Sequence, residues 1–194
     1  MRWRSGVAAT LAVSLALAGC ATGKAMHGAG GKAKFALRVN AGTTESYTDK
    51  AGNVWQGEKE YVKGGGFGFV GGQSVDRGKD TKIEATADAR IYQTEHYAMT
   101  GFKAEVPQGK HTVRLHFAET NPKMSKTPGG RVFDVAIQGK VVLPGFEVLK
   151  DAGAGYKALV KEFKGIEVGN GALDIGFVAK AQNPEINGIE ILGE

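Results

Sequence analysis

Apolar and polar residues alternate with a period of two through most of the chain after residue 34. This alternation predicts β-strands that place one face on a core and the other toward solvent. It is clearest in five segments, residues 35–39, 113–117, 133–137, 173–177 and 189–191. A helical period is nearly absent, and only residues 147–152 and 156–160 are compatible with a short helical turn.

Turn residues separate the predicted strands. Gln138-Gly139-Lys140 lies between two apolar segments and predicts a tight hairpin turn, and Pro107-Gln108-Gly109-Lys110 predicts a second turn. Glycine accounts for 30 of the 194 residues, about twice the usual ~7%. The sequence therefore predicts an all-β fold, a jelly-roll-like antiparallel β-sandwich with at most one or two short helical turns.

The first nineteen residues have the features of an export signal. Residues 1–4 carry two arginines and residues 7–17 are apolar. Eleven residues in a helix span about 17 Å, which is too short for a bilayer core of about 30 Å. Residues 1–19 are therefore predicted to be a secretory signal peptide.

The segment Leu17-Ala18-Gly19-Cys20 resembles the lipobox of bacterial lipoproteins. The resemblance implies alkylation of the Cys20 thiol by diacylglycerol, cleavage just before Cys20, and acylation of the new amino group, with palmitate-type chains. The alternative is an ordinary signal peptide followed by an unmodified Cys20. Two or more acyl chains give lasting membrane attachment, and Ala21 after the cysteine favours the outer membrane. We thus expect an exported, lipid-anchored outer-membrane lipoprotein.

Residues 20–34 form the lipidated cysteine and a linker that is rich in Gly, Ala and Lys, and residues 35–194 form one domain. A flexible linker of this length spans about 20 Å. The net charge of +5 falls to +3 once Arg2 and Arg4 leave with the signal peptide, and no basic block is present. The charge pattern therefore predicts no nucleic-acid partner.

Candidate catalytic and metal-binding residues are few. Cys20 is the single cysteine, and His111 and His116 have opposite parity on a predicted strand, so no metal site and no cofactor are expected. The carboxylates Glu105, Glu119 and Asp134 flank strands; they are either solvated or a candidate pair for glycoside cleavage. We expect the protein not to be an enzyme.

Five sequence strings resemble the malectin-like domain and follow its order across residues 35–192. The strings are Arg38-Val39-Asn40-Ala41-Gly42, Tyr92-Gln93-Thr94-Glu95-His96-Tyr97, Val113-Arg114-Leu115-His116-Phe117-Ala118-Glu119, Arg131-Val132-Phe133-Asp134-Val135 and Asn183-Pro184-Glu185-Ile186-Asn187-Gly188-Ile189-Glu190-Ile191. The resemblance implies a jelly-roll β-sandwich that binds carbohydrate without cleaving it.

A sugar site needs an aromatic platform and planar amides or carboxylates that satisfy hydroxyl groups. The predicted ligand-binding residues are Tyr97, Tyr92, Asn121, Gln182, Asn183 and Phe67; Trp55, Phe69 and Asn187 are further candidates. Tyr97 matches the sugar-contacting tyrosine of the family, whereas Tyr92 and Phe67 are either ligand-facing or core residues. Two positions depart from the family: Thr120-Asn121-Pro122 replaces an aromatic pair, and Gln182 replaces an aspartate.

The expected function is a non-catalytic carbohydrate-binding lipoprotein that holds an oligo- or polysaccharide at the cell envelope, with an envelope protein as a further partner. The alternative is a structural or protein-interaction sandwich that has lost the sugar site. Sugar binding predicts Tyr97 exposed beside Asn121 and Gln182 in one concavity. The alternative predicts these side chains apart, or Tyr97 buried.

Overall fold

The computed structural model describes residues 34–194. The predicted signal peptide, Cys20 and the linker through residue 33 lie outside the described residues. The described chain has short helices α1 (Ala89–Tyr92) and α2 (Val148–Ala152) and a 3-10 turn at Met124–Lys126. Its strands are β1 (Ala36–Asn40), β2 (Tyr47–Thr48), β3 (Val54–Gly57), β4 (Phe67–Val70), β5 (Gln73–Asp76), β6 (Thr94–Tyr97), β7 (Gly101–Glu105), β8 (Gly109–Phe117), β9 (Val132–Ile137), β10 (Lys140–Phe146), β11 (Leu159–Val168), β12 (Ala172–Ala181), β13 (Glu185–Ile186) and β14 (Gly188–Gly193).

Two large sheets form the body of the domain. One has six strands in the order β11-β8-β14-β1-β3-β2, and the other has five in the order β10-β9-β12-β7-β4. All strand pairs are antiparallel except β1 with β3. One apolar core contains residues of both sheets, among them Leu115, Phe102 and Phe133. The predicted all-β sandwich is therefore confirmed.

The alternating segments occupy strands as predicted. In β8, Val113, Leu115 and Phe117 are completely buried. The opposite face of the six-stranded sheet carries a row of charges, in which Arg38 donates to Glu190 at 2.8 Å and Arg114 donates to Glu162 at 2.6 Å. These residues are paired in register across β1, β14, β8 and β11. Apolar and charged faces therefore separate because side chains alternate along each strand.

The turn between β9 and β10 is also confirmed. Lys140 pairs with Ile137, and the two loop residues Gln138 and Gly139 have φ of 51° and 75°. Two consecutive left-handed residues are typical of a two-residue hairpin loop. The helical turn at residues 147–152 corresponds to α2, which ends at Gly153 in the left-handed conformation.

One local expectation differs from the structure. Residues 156–160 do not form a helical turn, because Leu159 begins β11 and pairs with Phe117 of β8. The pairing of strands that are distant in the sequence determines the conformation there, and the local pattern of residues gives no signal for it.

A third sheet, with the order β13-β6-β5, lies beside the sandwich and carries the candidate site. The loop after β1 packs closely on it: Gly42 has φ of 83°, and a Cβ there would lie 2.2 Å from the backbone nitrogen of Glu95. Only glycine fits this approach. Within residues 34–194, no helix is long and apolar enough to cross a membrane.

Candidate functional site

A shallow pocket of about 170 Å³ lies on one face of the paired strands β5 and β6, and we call it the Tyr97 pocket. It is lined by Val75, Arg77, Glu95, Tyr97, Asn121 and Arg131. Val75 pairs with Glu95, and side chains two positions apart on a strand share a face. This register places Glu95 and Tyr97 side by side on the pocket face of β6.

Tyr97 is half-buried at the end of β6. Its hydroxyl donates to Gln73 Oε1 at 2.7 Å across the β5–β6 pair. The next residue, Ala98, has φ of 61°, which ends the strand. One part of the Tyr97 ring therefore packs on the protein and the rest remains accessible from the pocket.

Asn121 is the second predicted site residue in this pocket. Its Oδ1 accepts the backbone N–H groups of Lys123 at 3.0 Å and Met124 at 3.2 Å, so the side chain closes the turn that leads into the 3-10 helix. Its own backbone N–H donates to Glu119 Oε1 at 3.0 Å. Because the carbonyl oxygen is occupied, the Nδ2 group is the part of the side chain that can serve a ligand.

Gln182 and Asn183 do not line the Tyr97 pocket. Both are exposed in the turn before β13, and Gln182 has φ of 54°. The backbone carbonyl of Asn183 accepts a hydrogen bond from Arg131 Nη1 at 2.6 Å, so the backbone of Asn183 supports the pocket. The structure thus brings together Tyr97 and Asn121, and leaves Gln182 outside.

The structure places Tyr92 and Phe67 in the interior, which corrects their assignment as ligand-facing residues. Tyr92 is 4% exposed, its hydroxyl lies 2.9 Å from His116 Nδ1, and burial raises its pKa. Phe67 is 6% exposed in the main core and lies beside Phe102. Each ring is covered by strands that are distant in the sequence, so the residues next to it in the sequence do not reveal its burial.

The remaining candidates, Trp55, Phe69 and Asn187, are also buried and contribute to the fold. Trp55 and Phe69 are each 2% exposed. Asn187 is completely buried; its Oδ1 accepts the N–H of Ala118 at 2.5 Å and its Nδ2 donates to the carbonyl of Thr94 at 2.8 Å. The buried amide of Asn187 joins β14, β8 and β6 and has no surface left for a ligand.

The floor of the pocket is an ion-pair network that the sequence analysis did not identify. Arg131 Nε lies 2.7 Å from Glu119 Oε2, and its Nη2 lies 3.7 Å from Glu95 Oε1. Arg77 Nη2 lies 3.1 Å from Glu95 Oε2, which also accepts Thr120 Oγ1 at 2.7 Å. These contacts hold the two guanidinium groups in fixed positions under Tyr97.

A third carboxyl group, Glu185, lies behind this network. It is completely buried, and neither of its oxygens has a hydrogen-bond partner. Burial, with Glu95 and Glu119 nearby, raises the pKa of Glu185 well above its usual range. Burial also raises the pKa of Glu119 against the opposing effect of Arg131. The interior therefore favours a proton on Glu185.

The carboxylates considered for glycoside cleavage each contact another part of the protein. Glu119 pairs with Arg131, Asp134 Oδ2 lies 3.1 Å from Lys180 Nζ, and Glu105 accepts the N–H of Gly64 at 2.6 Å. Within residues 34–194, no three His, Cys, Asp or Glu side chains are grouped as metal ligands would be. The Tyr97 pocket, which is lined by an aromatic ring, an amide and two guanidinium groups, suits the binding of a polar ligand.

Known proteins share this architecture. The family model described as "Malectin domain" matches residues 35–190. A probable leucine-rich repeat receptor-like serine/threonine-protein kinase of Arabidopsis thaliana is 27% identical over 167 residues, which cover 74% of this chain and 16% of that protein. The chain spans less than a fifth of the length of the curated relatives it matches.

Solved structures of other proteins contain the same fold. The β-glucuronidase of Bacteroides uniformis superposes with a TM-score of 0.73 at 25% identity, over 82% of this chain and 18% of that chain. A structure of the plant peptide RALF23 in complex with FER and LLG2 shares the fold, with a TM-score of 0.67 at 17% identity over 82% of this chain and 48% of that chain. The chain therefore belongs to the malectin domain family and has its carbohydrate-binding β-sandwich fold.

Proposed function

We propose that the protein is a non-catalytic carbohydrate-binding lipoprotein that holds a glycan at the cell envelope through the Tyr97 pocket. The observation that carries this proposal is the partly exposed Tyr97 ring beside Asn121, above two fixed guanidinium groups. Membership of the malectin family and the similarity to part of a β-glucuronidase support a carbohydrate ligand.

The chemistry of a sugar matches this arrangement. A pyranose has an apolar C–H face, which packs on an aromatic ring, and a rim of hydroxyls, which need hydrogen-bond partners. Tyr97 supplies the ring, and Asn121 Nδ2 and the accessible edge of Arg77 supply donors. With a volume of about 170 Å³, the pocket would receive one face of a terminal sugar residue and leave the other face in solvent.

The test is a glycan array followed by titration calorimetry on the full chain in detergent. Tyr97→Ala is expected to weaken binding at least about tenfold, equivalent to ~1.4 kcal/mol. Tyr61→Ala is the matched control, because Tyr61 is also half-buried but lies beside Lys103, away from the pocket. The proposal is wrong if a broad panel shows no binding at millimolar ligand, or if both variants behave like the parent.

The membrane anchor is a separate part of the proposal and rests on Cys20 and the segment before it. Cys20→Ser is expected to remove the lipid and release the protein from the membrane fraction. Mass spectrometry of the amino-terminal peptide gives an independent measurement, since diacylglycerol and an acyl chain add a defined mass. Continued sedimentation of Cys20→Ser with membranes would show that another feature attaches the protein.

A second candidate function is protein or peptide recognition. It is favoured by Thr120-Asn121-Pro122 in place of an aromatic pair and by Gln182 lying outside the pocket. The structure of the plant peptide RALF23 in complex with FER and LLG2 contains this fold in a peptide-containing assembly. Cross-linking in intact cells distinguishes the two candidates, with Tyr61→Ala as the control for Tyr97→Ala. The second candidate is supported if the parent binds no glycan and Tyr97→Ala, but not Tyr61→Ala, loses a cross-linked protein.

A further inference from the structure

A second and larger pocket lies beside the loop that joins β1 to β2. Its volume is about 360 Å³, roughly twice that of the Tyr97 pocket, and it is within the range of small-molecule sites. Asn40, Tyr47 and Gln93 form part of its lining, and we call it the Tyr47 pocket.

The Tyr47 pocket is separate from the Tyr97 pocket. Asn40 Oδ1 accepts the hydroxyl of Thr94 at 3.2 Å, so Asn40 lies on the face of β6 to which Thr94 points. Glu95 and Tyr97 point to the opposite face, because side chains alternate along a strand. A ligand in the Tyr47 pocket would therefore not contact the Tyr97 ring.

Two nearly buried amides line this pocket with unused hydrogen-bonding groups. Asn40 is 1% exposed and engages the protein through Oδ1; Gln93 is 5% exposed and its Nε2 donates to the carbonyls of Lys79 and Thr81 at 2.8 Å each. Asn40 Nδ2 and Gln93 Oε1 have no protein partner in residues 34–194. Neither atom is among the fully enclosed polar atoms without a partner, so each keeps a small exposed area, which lies at the pocket that both residues line.

Tyr47 supplies a fixed aromatic wall. Its hydroxyl donates to Asp88 Oδ1 at 2.9 Å, and its strand pairs with that of Trp55. Desolvation, with Asp88 as a further cause, raises the pKa of Tyr47 to about 12, so the ring stays uncharged. Asp49 fixes the adjacent turn by accepting Trp55 Nε1 at 3.0 Å. The ring is therefore held in place before any ligand arrives.

The charges around the pocket cancel. Arg90 makes two hydrogen bonds to Asp76, at 2.9 and 2.7 Å, which neutralise it. Of the other lining residues, Lys79 is positive and Glu45 is negative. A phosphate or carboxylate ligand would gain little from such a site, whereas a neutral ligand with many hydroxyls suits an aromatic wall and two planar amides.

We propose that the Tyr47 pocket binds a neutral pyranose unit, with its C–H face on Tyr47 and its hydroxyls on Asn40 Nδ2 and Gln93 Oε1. This site goes beyond the proposed function, since it requires no ligand at Tyr97. A protein with both pockets would engage two sugar residues.

The experiment is titration calorimetry of the full chain in detergent with maltose, cellobiose and N,N′-diacetylchitobiose, and with methyl β-D-glucuronide as the anionic comparison. Tyr47→Ala removes the wall. Ser46→Trp, at an exposed lining position, fills the pocket without disturbing the core. Each variant is expected to weaken the binding of at least one neutral disaccharide at least tenfold, while Tyr61→Ala leaves it unchanged.

The outcomes separate this site from the Tyr97 pocket. If Tyr97→Ala leaves the binding of a neutral sugar unchanged and Ser46→Trp removes it, that sugar binds in the Tyr47 pocket. If Tyr97→Ala also weakens the binding of no other glycan, the function proposed for Tyr97 fails while this inference stands. The inference is overturned if Ser46→Trp and Tyr47→Ala bind every neutral sugar as the parent does. It is also overturned if methyl β-D-glucuronide is the single probe whose binding they weaken.

Discussion

The Tyr97 pocket and the Tyr47 pocket are built in different ways. The Tyr97 pocket lies on ion pairs between Arg77, Arg131 and buried glutamates, whereas the Tyr47 pocket lies on the neutral amides of Asn40 and Gln93. Buried charges are costly when a partner is lost, and they respond to pH. We therefore expect the Tyr97 pocket to be coupled to folding stability and pH more strongly than the Tyr47 pocket.

The largest expected effect comes from breaking the ionic floor. Arg131→Met leaves Glu119 and Glu95 without their shared cation, and loss of one partner of a buried pair typically costs about 3–5 kcal/mol. Lys103→Met is the control, since the Lys103–Asp174 pair at 3.0 Å is exposed and salt bridges in solvent contribute little to stability. Urea unfolding measures both, and equal costs would contradict the central role of Arg131.

An intermediate effect is expected in the Tyr47 pocket. Gln93→Ala removes two hydrogen bonds to backbone carbonyls and should destabilise the fold by about 1–3 kcal/mol. Gln73→Ala, on the exposed partner of Tyr97, should change stability by no more than about 0.5 kcal/mol. If Gln93→Ala proves as mild as Gln73→Ala, the amide is not an anchor of the pocket wall.

The sequence predicts the scaffold far better than it predicts either pocket. Alternation in residues 113–117 and 133–137 identifies strands because each strand has one face on the core. The hairpin at Gln138-Gly139 follows from local backbone preference. These features depend on neighbouring residues, so they can be recognised without knowledge of the tertiary contacts.

The pockets depend on residues that are far apart in the sequence. Arg77, Arg131 and Glu185 meet only because β5, β9 and β13 come together, and no local pattern indicates that such charges are paired in the interior. Phe67 illustrates the same limit: its glycine-rich surroundings resemble an exposed loop, yet β7 pairs with its strand and the ring enters the core.

A pH titration tests the buried carboxyl group behind the Tyr97 pocket. The folded state raises the pKa of Glu185 above its unfolded value, so Glu185 contributes stability at low pH that is lost as the pH rises through the folded pKa. Glu185→Gln, which cannot ionise, should differ from the parent by less than about 1 kcal/mol at pH 4 and become relatively more stable with rising pH. Unfolding free energies measured from pH 4 to 9 test this.

The control for that titration is Glu190→Gln, for which the opposite trend is expected. Although burial opposes ionisation, the hydrogen bond from His116 and the nearby Arg38 and Arg114 lower the pKa of Glu190. Its stabilising contribution is therefore present above the unfolded pKa and lost as the pH falls. Parallel profiles for the two variants would contradict the assignment of Glu185 as a protonated, buried group.

The smallest expected effect comes from a variant that removes the hydroxyl of Tyr97 and keeps its aromatic ring. Its hydroxyl donates to the exposed Gln73, so Tyr97→Phe should change the free energy of unfolding by no more than about 0.5 kcal/mol. If the ring carries sugar binding by packing on a C–H face, Tyr97→Phe should also keep affinity within about threefold of the parent, since threefold is roughly 0.6 kcal/mol. Titration calorimetry of Tyr97→Phe and Tyr97→Ala, measured side by side, tests this. If Tyr97→Phe loses as much affinity for the sugar as Tyr97→Ala does, the hydroxyl, and not the aromatic face, contacts the ligand.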